Sequence, residues 1–208
     1  MTKSLSAFLI SALLSLGLLA GCGDSESSDE ATTVDGDGYA YTAPAGWEDV
    51  SGDGDKISEA LGDAGADVTA EDVGAAYDSV VVSDDESNDF RTNFNVLTQE
   101  GIPAQLDSEG YAAENSRVLG NPTLAAQVLP DGLEIDYDGS PAEEVTLGGE
   151  QAFALEYGAS TPDNELEIRQ ILLVRDGTAY VGTLTAAVDS FDEGTGDLDE
   201  IVESWEFE

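Results

Sequence analysis

The chain has 208 residues, 45 of them acidic and 6 basic, with no histidine, one cysteine and a formal net charge of −39. Such a charge repels nucleic-acid phosphates and anionic surfaces, which excludes a nucleic-acid partner. One cysteine excludes an internal disulfide, and the lack of histidine excludes imidazole metal sites and a His-dependent catalytic triad. Neither a Gly-x-Ser-x-Gly elbow nor a phosphate-binding P-loop occurs, so no cofactor is expected.

The N-terminus carries Lys3 and then a mostly apolar stretch, Leu5 to Ala20, sixteen residues long. That is shorter than the roughly 20 residues of a spanning helix and suits a signal peptide. It closes on Leu19-Ala20-Gly21-Cys22, which resembles a bacterial lipobox. The resemblance implies that residues 1–21 are a lipoprotein signal peptide, with Leu19, Ala20 and Gly21 recognised by the peptidase. Cys22 would then carry the lipid, palmitate among its acyl chains, and hold the protein to the extracytoplasmic face of the cell membrane. The alternative is an ordinary signal peptide that leaves Cys22 a free thiol.

Residues 22–38 read as the lipidated cysteine and an acidic flexible tether. Gly23 to Glu30 has no apolar side chain and cannot bury enough surface to offset its ordering entropy. Residues 39–208 read as a single domain. Tyr39 to Pro44 is its first strand, and Gly46-Trp47 turns into a second. Ile57, Ala60, Leu61 and Ala64 form a helical stripe, and Thr69 with Asp72 resembles a capping box. Val80 to Val82 is a strand. Phe90, Thr92, Phe94 and Val96 alternate with Arg91, Asn93 and Asn95, which predicts a half-buried strand.

Asp107 or Ser108 opens a helix that reaches Leu119. Asn121-Pro122 restarts it with an Asn cap and Pro in the first turn, and Pro130-Asp131-Gly132 ends it. Leu133, Ile135 and Tyr137 alternate with acids. Gly148-Gly149 and Asp176-Gly177 are hairpin turns. Ile171 to Val174 is apolar throughout, as in a central strand covered on both faces. Thr195 is placed as the cap of a last helix whose apolar stripe is Leu198, Ile201, Val202 and Trp205. The sum is an α+β fold, an antiparallel sheet of about six or seven strands with helices packed on it.

Several segments resemble the Mog1/PsbP-like fold. They are Tyr41-Thr42-Ala43-Pro44-Ala45-Gly46-Trp47, Arg91 to Val96, Gly148 to Ala152, Ala179 to Ala186, and the closing Glu203-Ser204-Trp205-Glu206-Phe207. With the lipobox, the chain is similar to LpqN-type actinobacterial lipoproteins over residues 39–208. The resemblance implies an α/β/α sandwich that binds partners or assists envelope processes, with no shared catalytic set. Its expected function is a membrane-anchored, non-enzymatic binding or accessory domain of the cell envelope. Its partner would be an envelope protein or a small envelope ligand. A cation-binding or salt-adapted acidic lipoprotein is the alternative, and a carboxylate-based hydrolase the lesser one.

Two groups of residues are candidate sites. Tyr39, Tyr41 and Trp47 line a ligand groove or, as the blander reading has it, pack the sheet edge. Asp49, Asp53 and Asp55 supply oxygens at positions 1, 5 and 7 of a calcium-type loop, but Ala60 stands where the bidentate Glu belongs. A weak Ca2+ site there is weighed against plain acidic turns. Among the few bases, Arg169 lies on a strand with Glu165 and Glu167, and a cross-strand ion pair is expected for it.

Overall fold

Three two-residue turns set much of the architecture. The computed structural model describes residues 30–53, 77–87, 90–125, 133–161 and 164–208. Within these, β8 (Glu150–Ser160), β9 (Glu165–Arg175) and β10 (Thr178–Ala187) form an antiparallel meander. The β9–β10 turn is Asp176-Gly177, at φ 51° and 83°. This is the left-handed pair that a tight hairpin requires. Gly148 and Gly149, at φ 56° and 81°, do the same between β7 (Glu143–Leu147) and β8. Both hairpins stand where the sequence put them.

The third turn was not expected. A strand β1 (Thr32–Gly36) runs antiparallel to β2 (Tyr39–Ala43) across Asp37-Gly38. Order therefore begins before Tyr39, and the tether expected over residues 22–38 is corrected at its C-terminal end. Val34 is 1 % exposed, and this apolar anchor draws an otherwise polar segment into the fold.

Among the described residues the main sheet has eight strands, where about six or seven are expected. Its order is β3 (Trp47–Asp49), β4 (Ser79–Ser87), β5 (Phe90–Glu100), β10, β9, β8 and β6 (Glu134–Asp136), with β7 also paired to β8. A smaller sheet joins β1, β2 and β11 (Glu206–Phe207). Helices α1 (Ser108–Leu119) and α2 (Pro122–Ala125) belong to one side and α3 (Phe191–Glu203) to the other. The architecture is the expected α+β sandwich, and β9 is central as its apolar run required.

Local chemistry explains the helix ends. Asp107 Oδ1 accepts the Gly110 amide, capping α1. Asn121 Oδ1 accepts the amides of Thr123 and Leu124, and Pro122 begins α2. The start of α3 is corrected. It opens at Phe191, with Asp192 and Glu193 in its first turn, where acids suit the helix dipole. Thr195 is inside it and donates to the Phe191 carbonyl one turn back.

Two apolar cores flank the sheet. One joins Tyr39, Tyr41, Trp47, Phe94, Ile171, Leu184, Leu198, Ile201 and Trp205. The other joins Tyr111, Val118, Leu119, Leu155, Tyr157, Ile168, Leu172 and Val181. Because both faces are covered, β5 is not half-buried as its alternation suggested. Asn93 and Asn95 are buried too. The stripe from Ile57 to Ala64, the Thr69–Asp72 box and the Pro130 stop lie outside the described residues.

Candidate functional site

The residues first suspected of binding are interior. Tyr39, Tyr41 and Trp47 are 0 %, 1 % and 2 % exposed. The rings of Tyr39 and Tyr41 both stack on Trp205, at 4.5 and 5.4 Å between centroids. Their hydroxyls share the Ser79 hydroxyl at 2.9 and 3.2 Å. Burial pushes the phenol pKa of both above the ordinary tyrosine value. Trp47 Nε1 donates to Asp197 Oδ2 at 3.0 Å. These side chains weld the small sheet to α3 and leave no face for a ligand, so the groove-lining reading is corrected to the packing one.

Of the calcium-type window, Asp49 and Asp53 lie among the described residues. Asp49 Oδ1 accepts the Ser51 amide at 2.9 Å, a local turn bond. Among the described residues no group of three or more carboxylates converges as a metal site. Asp55 lies outside the described residues, as do Leu19, Ala20, Gly21 and Cys22.

Among the described residues, two grooves lie elsewhere, on both sides of the loop from Tyr137 to Ala142. That loop is held by its own bonds. The Tyr137 hydroxyl donates to the Ser140 carbonyl, and Asp138 Oδ1 accepts the Ser140 amide at 2.8 Å. Bonds from Ser140 hold the Asp138 carboxyl below its usual pKa.

One groove, of about 410 Å³, runs from this loop over β8 and β9 and is lined by Asp136, Asp138, Glu143, Glu156, Glu167 and Arg169. Among the described residues Arg169 is the one cation in its lining. Its guanidinium reaches Glu143 at 3.2 Å and Glu156 at 3.3 Å, bridging β7 and β8. The expected cross-strand pairing is thus present, with Glu156 on the adjacent β8 and Glu143 on β7 beyond it. Glu167 keeps its proton to higher pH than an ordinary glutamate, first through desolvation and then through the charges of Glu156 and Asp192.

The other groove, of about 460 Å³, lies between α1 and the loop. It is lined largely by apolar groups, with Ala113, Pro141, Ala142 and Phe153 in its walls and Glu109 and Arg117 among its polar members. Ser140 and Pro141 belong to both grooves, so the two adjoin across one ridge.

The adjoining grooves offer chemistry suited to recognition. Five carboxylates against one guanidinium, beside a greasy slot, favour a cation next to an apolar group. Glu167 holds its proton to higher pH than an ordinary glutamate, as a general acid must, and Glu156 lies beside it. Both nevertheless rise from adjacent strands on the same face, where strands lie about 4.8 Å apart. They form one floor, and glycoside cleavage needs carboxylates on either side of the scissile bond. Sequence reasoning missed these grooves because they draw on α1, β6, β7, β8, β9 and a loop at once. The rarity of arginine was the one available signal.

No family model matches the chain, and none of the curated proteins does. Among solved structures, the chain is similar to the PsbP protein of the cyanobacterium Synechocystis sp. PCC 6803. The identity is 19 %, covering 92 % of this chain and all of the other, with a TM-score of 0.55. LpqN of Mycobacterium tuberculosis, described as involved in cell envelope biogenesis, is 14 % identical over 85 % of this chain and 89 % of its own, with a TM-score of 0.46. The Ran-binding protein Mog1p of Saccharomyces cerevisiae is 13 % identical over 85 % and 95 %, with a TM-score of 0.45. The fold is the Mog1/PsbP-like fold expected from the sequence. At these identities the likeness concerns fold alone.

Proposed function

We propose that this chain is a lipoprotein anchored through Cys22 to the extracytoplasmic face of the cell membrane. Its domain is a non-enzymatic binding or accessory module of the cell envelope. The observation that carries this reading is the adjoining pair of grooves around Tyr137–Ala142, one acidic and one apolar. Together they suit a protein segment that sets a basic residue beside apolar ones. The lipobox-like Leu19-Ala20-Gly21-Cys22 supports the anchor. No helix among the described residues is long and apolar enough to cross a membrane. The LpqN protein's description as involved in envelope biogenesis is in keeping with such a role.

The test is in-cell photo-cross-linking from position 142, at the edge of the apolar groove, followed by mass spectrometry. One recurrent partner is expected, lost in the Cys22→Ala chain and weakened when Glu143 and Glu156 become Gln. A pattern of random abundant neighbours, unchanged by either variant, would remove the support for a dedicated partner. Metabolic labelling with an alkyne fatty acid should mark the wild-type chain and leave Cys22→Ala unlabelled.

A further inference from the structure

The centre of the main sheet is polar where a core should be apolar. On the face shared with Val181 and Leu172, β5 presents Asn93 and Asn95, β10 presents Thr183 and Thr185, and β9 presents Gln170. The register sets Thr185 opposite Asn93, and Thr183 opposite both Asn95 and Gln170. All five are at most 2 % exposed. Gln170 Nε2 donates to Thr183 Oγ1 at 3.3 Å. Asn93 Oδ1, Asn95 Nδ2 and Thr185 Oγ1 have no hydrogen-bond partner in the protein. A buried polar atom left so costs on the order of 1–3 kcal/mol. Three on two adjacent strands are too many for packing alone to explain.

We infer that this square is a buried binding site for small neutral hydroxylic matter, either paired water molecules or a polyol. The orphan set contains an acceptor, a donor and a hydroxyl that is either, which is what an O–H group satisfies. The ligand is neutral because the square offers it no charge. Val80 and Val82 of β4 and Ile168 of β9 pair beside it, and an ion among them would be desolvated without a counter-charge. The charged pair further along β5, Arg91 with Asp84, is engaged with itself at 3.4 Å. Asn93 and Asn95 are two residues apart on one strand, about 6.6 Å, so more than one oxygen is needed to serve both. The site lies in the sheet interior and does not depend on the grooves or on the proposed anchor.

The experiment is NMR on the isotope-labelled full chain in detergent micelles, reading magnetisation transfer to the side-chain amides of Asn93 and Asn95 and the methyl of Thr185. Transfer from the water resonance alone identifies water as the occupant. Transfer from the carbon-bound protons of added glucose identifies a polyol. Thr185→Val, nearly isosteric, should weaken the signals at Asn93 several-fold while the near-UV spectrum stays native. Asn95→Leu should do so more strongly. No transfer from water or glucose at either asparagine would overturn the inference. So would signals at Asn93 that keep full intensity in the folded Thr185→Val chain.

Discussion

The indole of Trp205 lies on the ring of Tyr39 with centroids 4.5 Å apart and planes 9° from parallel. The two residues are 166 positions apart and lie at opposite ends of the described fold. Their contact, continued by Tyr41 on the same indole and by Phe207 at 6.0 Å, closes the chain's end onto its beginning. Replacing Trp205 by Ala should cost about 3–5 kcal/mol, the usual cost of emptying a buried aromatic site. Trp205→Phe should cost far less, because the buried indole N–H has no partner to lose. Urea unfolding of the two variants measures both.

Trp47 makes the opposite case. Its indole donates to the Asp197 carboxylate on α3, so Trp47→Phe removes a bond to a charged group as well as ring volume. A bond of this kind contributes roughly 1.5–3 kcal/mol. The Phe substitution should therefore hurt more at position 47 than at position 205. Equal costs in parallel urea melts would show the Asp197 bond to be of no consequence.

Gly182 permits the sheet to close over Phe94. A Cβ at this position would stand 2.9 Å from the Phe94 ring. Gly182→Ala should destabilise by about 1–3 kcal/mol through overpacking. Phe94→Leu should cost less in the Gly182→Ala background than alone. A double-mutant cycle gives the coupling.

Alkali should unfold the protein in a tyrosine-linked step. Burial raises the pKa of Tyr39, Tyr41 and Tyr157 above the ordinary phenol value, and that of Tyr111 to about 12. A raised folded-state pKa means the stability is fully present below about pH 10, where unfolded phenols begin to ionise. It is then lost as pH climbs toward and through the folded values. Tyrosinate absorbance near 295 nm should lag a model-phenol curve and then rise together with the loss of circular dichroism. Smooth titration of every tyrosine near pH 10 in a folded protein would contradict this.

Salt should stabilise the fold. A net charge of −39 works against compactness, and screening shortens from about 10 Å at 0.1 M to about 3 Å at 1 M. The melting temperature should rise by several degrees over that range in NaCl. At matched ionic strength CaCl2 should add little if the charge acts only through screening. A large extra gain from calcium would favour the cation-binding alternative.

Turn chemistry made much of the sheet readable. Asp176-Gly177 and Gly148-Gly149 require left-handed backbone, and few residues other than these supply it. The run Ile171 to Val174 likewise announced a strand covered on both faces. Asp37-Gly38 carried the same kind of signal but stood beside a long acidic run, and one valine was too little to mark β1 as a strand. Asn93 and Asn95 misled in another way. Polar residues alternating with apolar ones usually face solvent, and here tertiary cover overrode the pattern. Thr195 was misplaced because a threonine between two glycines looks like a cap, whereas α3 had already begun at Phe191. The grooves were illegible for a geometric reason. Arg169 meets Glu143, 26 positions away, only because β8 folds back on both β7 and β9.

The early start of β1 would turn the proposed anchor into an orienting device. With Cys22 lipidated as proposed, residues 23–31 are all that separate the bilayer from Thr32. Fully stretched, that leash reaches about 30–35 Å. A folded unit of this size is about 40 Å across. A leash shorter than the body it holds would prevent free tumbling, so an anchored domain would keep its Thr32 end toward the lipid and sample a cone of attitudes. A partner would then have to be met within one domain's width of the bilayer. Lengthening the leash by some twenty Gly/Ser residues would release that restriction without touching any contact in the fold.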